Sequence, residues 1–247
     1  MNVSDFITAL NKYKYLLVDS RSVFDPENTV FAAIRTEVGD GHRFIKSLYD
    51  KGVRAFIVDK KPENPAFEGA TFFEVDNVTS ALADIARRRL EGTDAGIIVT
   101  GSVGKTTMKE LLYTALYAHD ARRSPRSWNS SIGIPLAVWD MTSDGKKARH
   151  YITEAGIDGP GQAEAIARIL GDSHRMAIIT PVTDEHDDAF ASHADKVKEK
   201  IGLVAHCDTI IYADTDPELA RQLEQLRVSR PGVRLIAVKP DGFASVF

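Results

Sequence analysis

The run Ile97-Ile98-Val99-Thr100, followed by Gly101-Ser102-Val103-Gly104-Lys105-Thr106-Thr107, constrains this chain more than any other stretch. The apolar, β-branched residues read as a buried strand, a glycine-bearing turn stops it, and Met108 to His119 has helical spacing. Strand, glycine turn and helix in that order build a cradle for an anion. The N–H groups of the turn and of the first helical residues converge, and a lysine adds a point charge. The threonine hydroxyl after the lysine is placed to ligate magnesium. The usual phosphate loop has a glycine where Val99 stands. The match is therefore to the shorter Gly-x-x-Gly-Lys-Thr-Thr form, which a narrower group of ATP-using enzymes carries. An ordinary strand-to-helix turn with a surface lysine is the plainer reading; the strand before and the helix after weigh against it.

At 247 residues the chain has room for two domains, and its 43% hydrophobic content is a globular value. A formal net charge of −4 argues against a nucleic-acid partner, which wants a clustered basic surface. The single cysteine, Cys207, cannot pair within the chain, which suits a reducing compartment. Its place after an apolar run predicts a buried, inert thiol. Met1 to Lys14 carries Asp5 in its first turn and no long apolar core, unlike a signal peptide, and no segment approaches a membrane span. A soluble, cytoplasmic protein is expected.

Strands and helices alternate along the chain. Strands are predicted over 15–20, 29–34, 55–60 and 71–76, with helices over 42–51 and 81–90, the latter preceded by several N-cap candidates in 76–80. Glu91-Gly92-Thr93-Asp94 has the composition of a hinge, which divides the chain into residues 1–91 and 92–247. The second part repeats the alternation, with strands over 96–100, 150–154, 176–182, 209–213 and 233–238. Its helices are predicted over 105–119, 162–170, 194–206 and 217–226. The fold class is α/β, with a mainly parallel sheet flanked by helices. The charged run Lys196-Val197-Lys198-Glu199-Lys200 is expected to be a solvated helix face.

In such a fold ligands sit at the carboxyl ends of the strands. Glu154 closes a predicted strand just before Ala155-Gly156, where a carboxylate beside a phosphate cradle can hold magnesium. A helix-capping or surface glutamate is the alternative. His186 follows another strand within Thr183-Asp184-Glu185-His186-Asp187-Asp188, and an acidic loop with one histidine reads by itself as solvated.

Several of these motifs together resemble the Mur ligases. The resemblance rests on GSVGKTT at 101–107, SPRSWNSSIGIPLAVW at 124–139, ITEAGIDGPG at 152–161, and His186 followed by a helix bearing Lys200. Within the family it is nearest to the branch that joins D-alanyl-D-alanine to UDP-MurNAc-tripeptide. AHCDTIIYADTD at 205–216 is most similar to members that carry an alanine racemase behind the ligase. In the first part, Asp19-Ser20-Arg21, the segment 29–34, and Asp40-Gly41-His42 followed by Phe44 resemble the family's UDP-binding domain.

The resemblance implies a small UDP-binding α/β domain followed by a P-loop ATPase domain whose C-terminal part is missing. It implies that Gly101, Ser102, Val103, Gly104, Lys105, Thr106, Thr107 and Asn129 bind ATP. Thr106, Glu154 and His186 would ligate one or two magnesium ions, and Lys200 matches a lysine that some members carbamylate. Lys105, Glu154, His186 and Lys200 are then the catalytic set. Asp19, Ser20, Arg21, Asp40, Gly41 and His42 would hold UDP, although 19–21 also reads as a strand-end turn with a satisfied Asp–Arg pair.

The implied reaction is ATP-driven peptide ligation through an acyl phosphate in peptidoglycan precursor synthesis. The chain departs from the family at Val103 and Ser130, where asparagines are usual, at Pro181-Val182-Thr183-Asp184-Glu185 before the histidine, and near Thr36, where a glycine is expected. It ends at Phe247, before the family's Gly-x-His-Asn segment and third domain, so a fragment not competent alone is expected. Another Mur-type ligase, or a module that binds ligands without turnover, is the alternative.

Overall fold

Two parallel sheets carry the chain, which the computed structural model describes over residues 3–37, 39–63, 67–93, 95–185 and 187–239. The first part runs α1 (Val3–Leu10), β1 (Tyr15–Leu17), β2 (Thr29–Ala32), β3 (Arg35–Thr36), β4 (Gly39–Asp40), α2 (Ile45–Asp50), β5 (Ala55–Val58), β6 (Thr71–Glu74) and α3 (Val78–Leu90). Its main sheet has the order β1-β2-β5-β6, every pair parallel, while β3 and β4 form a short antiparallel ribbon. Every residue of β2 and β5 is buried, as a parallel sheet covered on both faces requires. Alternate residues serve opposite cores: Val30, Ala32, Ala55 and Ile57 meet α1 and α3, whereas Phe31, Phe56 and Val58 meet α2.

Local chemistry trims the predicted elements. The first strand stops at Leu17, because the Asp19 carboxylate accepts from the Arg21 N–H and opens a 3₁₀ turn over Ser20–Ser22. The predicted helix at 42–51 begins as another 3₁₀ turn, Gly41–Phe44, capped by Asp40. Asn77 caps α3 by accepting from Ser80 N at 2.8 Å.

The second part runs β7 (Gly96–Thr100), α4 (Lys105–Leu116), β8 (Ala121–Arg123), α5 (Gly133–Thr142), β9 (His150–Glu154), α6 (Gln162–Leu170), β10 (His174–Ile179), α7 (His193–Val204), β11 (Thr209–Ala213), α8 (Pro217–Ser229) and β12 (Arg234–Val238). Its sheet is parallel throughout, with the order β12-β11-β10-β7-β9-β8. Ile97, Val99, Ile152 and Ile178 pack under α4, and Ala177, Ile179 and Ile210 join the core with α6, α7 and α8. The chain leaves β7 toward β8 on one side and leaves β10 toward β11 on the other. β7 and β10 are neighbours, so their carboxyl ends form a topological switch point.

Helix α5 is not predicted from sequence, because Gly133 to Thr142 is apolar on nearly every side, with only Asp140 exposed, and has no clear stripe to read. The reason lies in its position. Ile134, Val138 and Met141 enter the larger core, while Leu136 and Trp139 enter that of the small sheet. Helix α3 is shared the same way, with Leu82 and Ile85 on one side and Ala86 and Leu90 on the other. Arg89 stacks 3.7 Å from the Trp139 ring, and Trp139 Nε1 donates to Lys14 O at 3.0 Å. α1 and β8 are likewise absent from the sequence reading.

The charged run of α7 corrects an expectation. Lys196 and Lys200 are buried rather than solvated, since both point inward, one turn apart, at backbone carbonyls. Cys207 is buried as expected, and burial pushes its thiol up to about 12. Among the described residues no helix is long and apolar enough to cross a membrane.

Candidate nucleotide and substrate site

The turn after β7 needs both of its glycines, for different reasons. Gly101 has φ +136°, and a Cβ there would lie 2.1 Å from Thr180 Oγ1, so the loop passes hard against the end of β10. Gly104 has φ +83° with open space around it and caps α4. Ser102 N donates to Pro181 O at 3.0 Å, and Thr183 N donates to Ser102 Oγ at 3.2 Å. The loop is thereby stitched to the segment that follows β10. The first N–H groups of α4 have no acceptor within the helix and face the open side, where Val103, Thr106 and Thr107 are exposed. Lys105 Nζ folds back on the loop, donating to Gly101 O at 3.1 Å and Ser102 O at 2.6 Å.

Glu154 stands at the end of β9, opposite Val99 in the register, and is 1% exposed. Thr106 Oγ1 donates to its Oε2 at 2.9 Å, and Asn129 Nδ2 donates to its Oε1 at 3.0 Å. Gly156 leaves room for that asparagine, since a Cβ at Gly156 would sit 3.1 Å from Asn129 Cγ. Gly156 N also donates to Asn129 O at 2.9 Å. Ser130, where the family resemblance expects asparagine, instead accepts from Gly133 N at 3.0 Å and helps start α5. The donor set fits magnesium. Thr106 offers a hydroxyl oxygen and Glu154 a buried carboxylate oxygen, the hard ligands this ion takes, held 2.9 Å apart by their own hydrogen bond.

Lys200 reaches the same loop from α7. Its Nζ donates to Gly101 O at 3.3 Å and Ile157 O at 3.1 Å. Burial, with Lys105 nearby, pulls it down to about 8. His186 lies outside the described residues. Around it, the buried Lys196 donates to Thr183 O, Glu185 O and Asp187 Oδ1. Asp184, Asp187 and His193 each bring a ligand atom within 4.8 Å of the others, but Asp187 is engaged by Lys196 and His193 by Asp216.

In the small sheet both predicted triplets lie at the carboxyl edge, Asp19-Ser20-Arg21 beyond β1 and Asp40-Gly41-His42 against the end of β2. Gly41 N donates to Ile34 O at 2.9 Å, and a Cβ at Gly41 would lie 3.0 Å from the Ala33 backbone. The Asp19–Arg21 pair is formed, with Arg21 donating at 2.9 and 2.7 Å, and it holds the Asp19 carboxyl down at about 2. His42 lies between Asp40 Oδ1 at 2.7 Å and Asp59 Oδ1 at 3.1 Å. Arg35 reaches the same two carboxylates at 3.2 and 3.3 Å. The His42 backbone N–H is the main cause that lowers the Asp40 carboxyl.

Sequence reasoning passed over Arg35, Asp59, Lys196 and Lys109. Lys109 is fully buried on α4, its Nζ 3.6 Å from Glu154 Oε2. It stands three residues after Thr106, and that helical spacing was the signal that could have found it.

A glycine cradle at a switch point, with a lysine, a hydroxyl and a buried carboxylate around it, defines a P-loop nucleotide-binding α/β protein. The chain belongs to the Mur ligase family: the Mur ligase middle domain matches residues 99–238, and the family's catalytic domain pattern matches residues 12–90. The UDP-N-acetylmuramoyl-tripeptide–D-alanyl-D-alanine ligase of Borreliella burgdorferi is 27% identical over 232 residues, covering 89% of this chain and 48% of that protein. The fold matches that of MurF from Acinetobacter baumannii with a TM-score of 0.78 at 20% identity, covering 96% of this chain and 52% of the other. It also matches MurF from Thermotoga maritima in complex with ADP, with a TM-score of 0.74 at 24% identity, covering 93% and 50%. The chain thus spans about half the length of the relatives it matches.

Proposed function

We propose that this chain supplies the UDP-binding part (residues 1–91) and the ATP-binding part (92–247) of a ligase joining D-alanyl-D-alanine to UDP-MurNAc-tripeptide. The observation that carries the reading is the convergence of Lys105, Thr106, Glu154 and Lys200 on the two ends of one loop. In the reaction, the terminal carboxylate of the tripeptide attacks the γ-phosphate of ATP, releasing ADP and leaving an acyl phosphate. The D-alanyl-D-alanine amine then attacks that carbonyl, phosphate departs, and the amine loses a proton.

Each residue has a task in that scheme. The N–H groups at the start of α4 bind the phosphates, and Lys105 swings from the Gly101 and Ser102 carbonyls onto phosphate oxygens as charge develops there. Thr106 and Glu154 would hold magnesium, and Asn129 orients the carboxylate from its other oxygen. Magnesium, when bound, offsets negative charge on the transferring phosphoryl group. Lys200, pulled down to about 8, has a neutral amine population able to add carbon dioxide with loss of a proton; the carbamate would be an anionic oxygen ligand where an ammonium repels metal. Asp19, Ser20, Arg21, Asp40, Gly41 and His42 would contact UDP, with Arg21 the exposed cation for a diphosphate. A cytoplasmic location follows from the need for ATP, and an alanine racemase domain is a further partner suggested by the 205–216 wording.

The test is to titrate UDP-MurNAc-tripeptide and Mg·ATP into residues 1–247, then measure phosphate release and product mass with D-alanyl-D-alanine added. A chain extended to the relatives' full length serves as comparison. Binding of both ligands without pentapeptide product by the short chain, and product by the long one, is expected. No binding of either ligand, or efficient synthesis by residues 1–247, would overturn the reading.

A further inference from the structure

Lys109 is one of the most deeply buried charges in the protein, and the proposed reaction assigns it nothing. It lies on α4 three residues after Thr106, so both side chains leave the same helix face. Its Nζ lies 3.6 Å from Glu154 Oε2, the oxygen that also accepts from Thr106. The same ammonium donates to the Arg126 carbonyl and lies 3.5 Å from Glu110 Oε1.

The two carboxylates differ in what they need from it. Glu110 is 45% exposed and already takes Arg123 Nε at 2.5 Å, so water and arginine satisfy it. Glu154 is 1% exposed, and the other side chains that donate to it, Thr106 and Asn129, are neutral. A carboxylate shut away from water needs a cation, since removing one partner of a buried pair strands the other charge.

The Arg126 contact adds a second role. Arg126 has φ +51°, a backbone state that a non-glycine residue holds only where its surroundings demand it. Its carbonyl is anchored by Lys109, three residues before Asn129. One ammonium therefore fixes both the carboxylate and the start of the loop whose asparagine orients it.

We propose that Lys109 is a positioning residue, the internal counter-cation of Glu154, which shares that carboxylate with the magnesium ion and sets how tightly the ion is held. This rests on the reading of Thr106 and Glu154 as the metal-facing pair. Without metal, Lys109 keeps the carboxylate compensated and in place. With metal, its positive charge opposes the ion and keeps binding reversible.

The experiment uses Lys109→Met, Lys109→Arg and Lys109→Met/Glu154→Gln. Thermal midpoints are recorded with MgCl2 alone and in EDTA, and ATP affinity is measured by calorimetry across a magnesium series. Lys109→Met is expected to lose stability in EDTA, to recover more of it with MgCl2 than wild type gains, and to bind magnesium roughly tenfold tighter in the presence of ATP. Lys109→Arg should keep the wild-type magnesium response. The double variant should be at least as stable in EDTA as Lys109→Met, because no charge is left stranded. A magnesium response in Lys109→Met equal to that of wild type would overturn the role of Lys109 alone. Wild-type protein without magnesium-dependent ATP binding would overturn the site reading itself. If Lys109→Met does not fold, a folded double variant supports the pairing and an unfolded one overturns it.

Discussion

Lys105 and Lys200 donate to one acceptor, the Gly101 carbonyl, at 3.1 and 3.3 Å. One comes from the first turn of α4 and the other from α7, so the fold brings two cations to a single oxygen. Such crowding is unfavourable until an anion arrives between them. A phosphate bound there would relieve it.

Lys200 makes stability depend on pH. Its folded value of about 8 lies below that of an unfolded lysine, about 10.4, so the unfolded chain binds the proton more tightly. Lys105 and Lys196 reinforce the depression, while Asp158 and Glu185 oppose it. The cost is present in full below pH 8, shrinks as pH rises toward about 10.4, and amounts to something on the order of 3 kcal/mol. Urea unfolding from pH 7 to 10.5 should show wild-type stability rising against that of Lys200→Met. Parallel curves would mean the lysine is solvated.

Lys105→Ala should weaken Mg·ATP binding by about tenfold or more, since a cation near phosphate in a partly dried site contributes several kcal/mol. The fold should stand, because the side chain's bonds are to its own loop. Calorimetry on both proteins measures this, and equal affinities would remove the lysine from the phosphate site.

Glu154→Gln should lose ATP affinity in magnesium and lose far less in EDTA. The amide keeps the shape but not the charge that a hard cation prefers. An equal loss in both buffers would reduce Glu154 to a structural carboxylate held by Thr106 and Asn129.

The glycines of the turn should separate cleanly. Gly104→Ala meets nothing within 4 Å and pays only for its φ of +83°, about 1–2 kcal/mol. Gly101→Ala drives a methyl group into Thr180 and should lose clearly more stability, together with nucleotide binding. Chemical denaturation of the two variants ranks them; a Gly101→Ala protein as stable as Gly104→Ala would contradict the close approach to β10.

Trp139→Ala should cost about 3–5 kcal/mol, the usual penalty for a large buried aromatic residue. Its ring belongs to the small sheet's core and carries the Arg89 guanidinium, while the same helix feeds the larger core. A loss under 1 kcal/mol by urea unfolding would show α5 to be a loose bridge.

The sequence disclosed whatever is local. The apolar strand Gly96–Thr100, the positive-φ glycines and the lysine–threonine pair lie within a dozen residues, and the order of strands and helices follows from short-range periodicity. The position of Glu154 was legible, since a strand that closes on a carboxylate next to the glycine turn brings that side chain to the turn, where Thr106 donates to it. Helix α5 was not legible, since a helix buried on nearly every side, with only Asp140 exposed, carries almost no amphipathic signal. Lys196 and Lys200 read as solvated because a charged run is normally paid for by water.

Tertiary structure alone decided who shares a partner. That Thr106, Asn129 and Lys109 meet on one carboxylate, and Lys105 and Lys200 on one carbonyl, depends on β7 lying between β9 and β10. Strand order is set by how whole faces bury one another, a balance summed over many side chains. No short stretch of sequence contains that sum, whereas a glycine turn is dictated by the sterics of its own few residues.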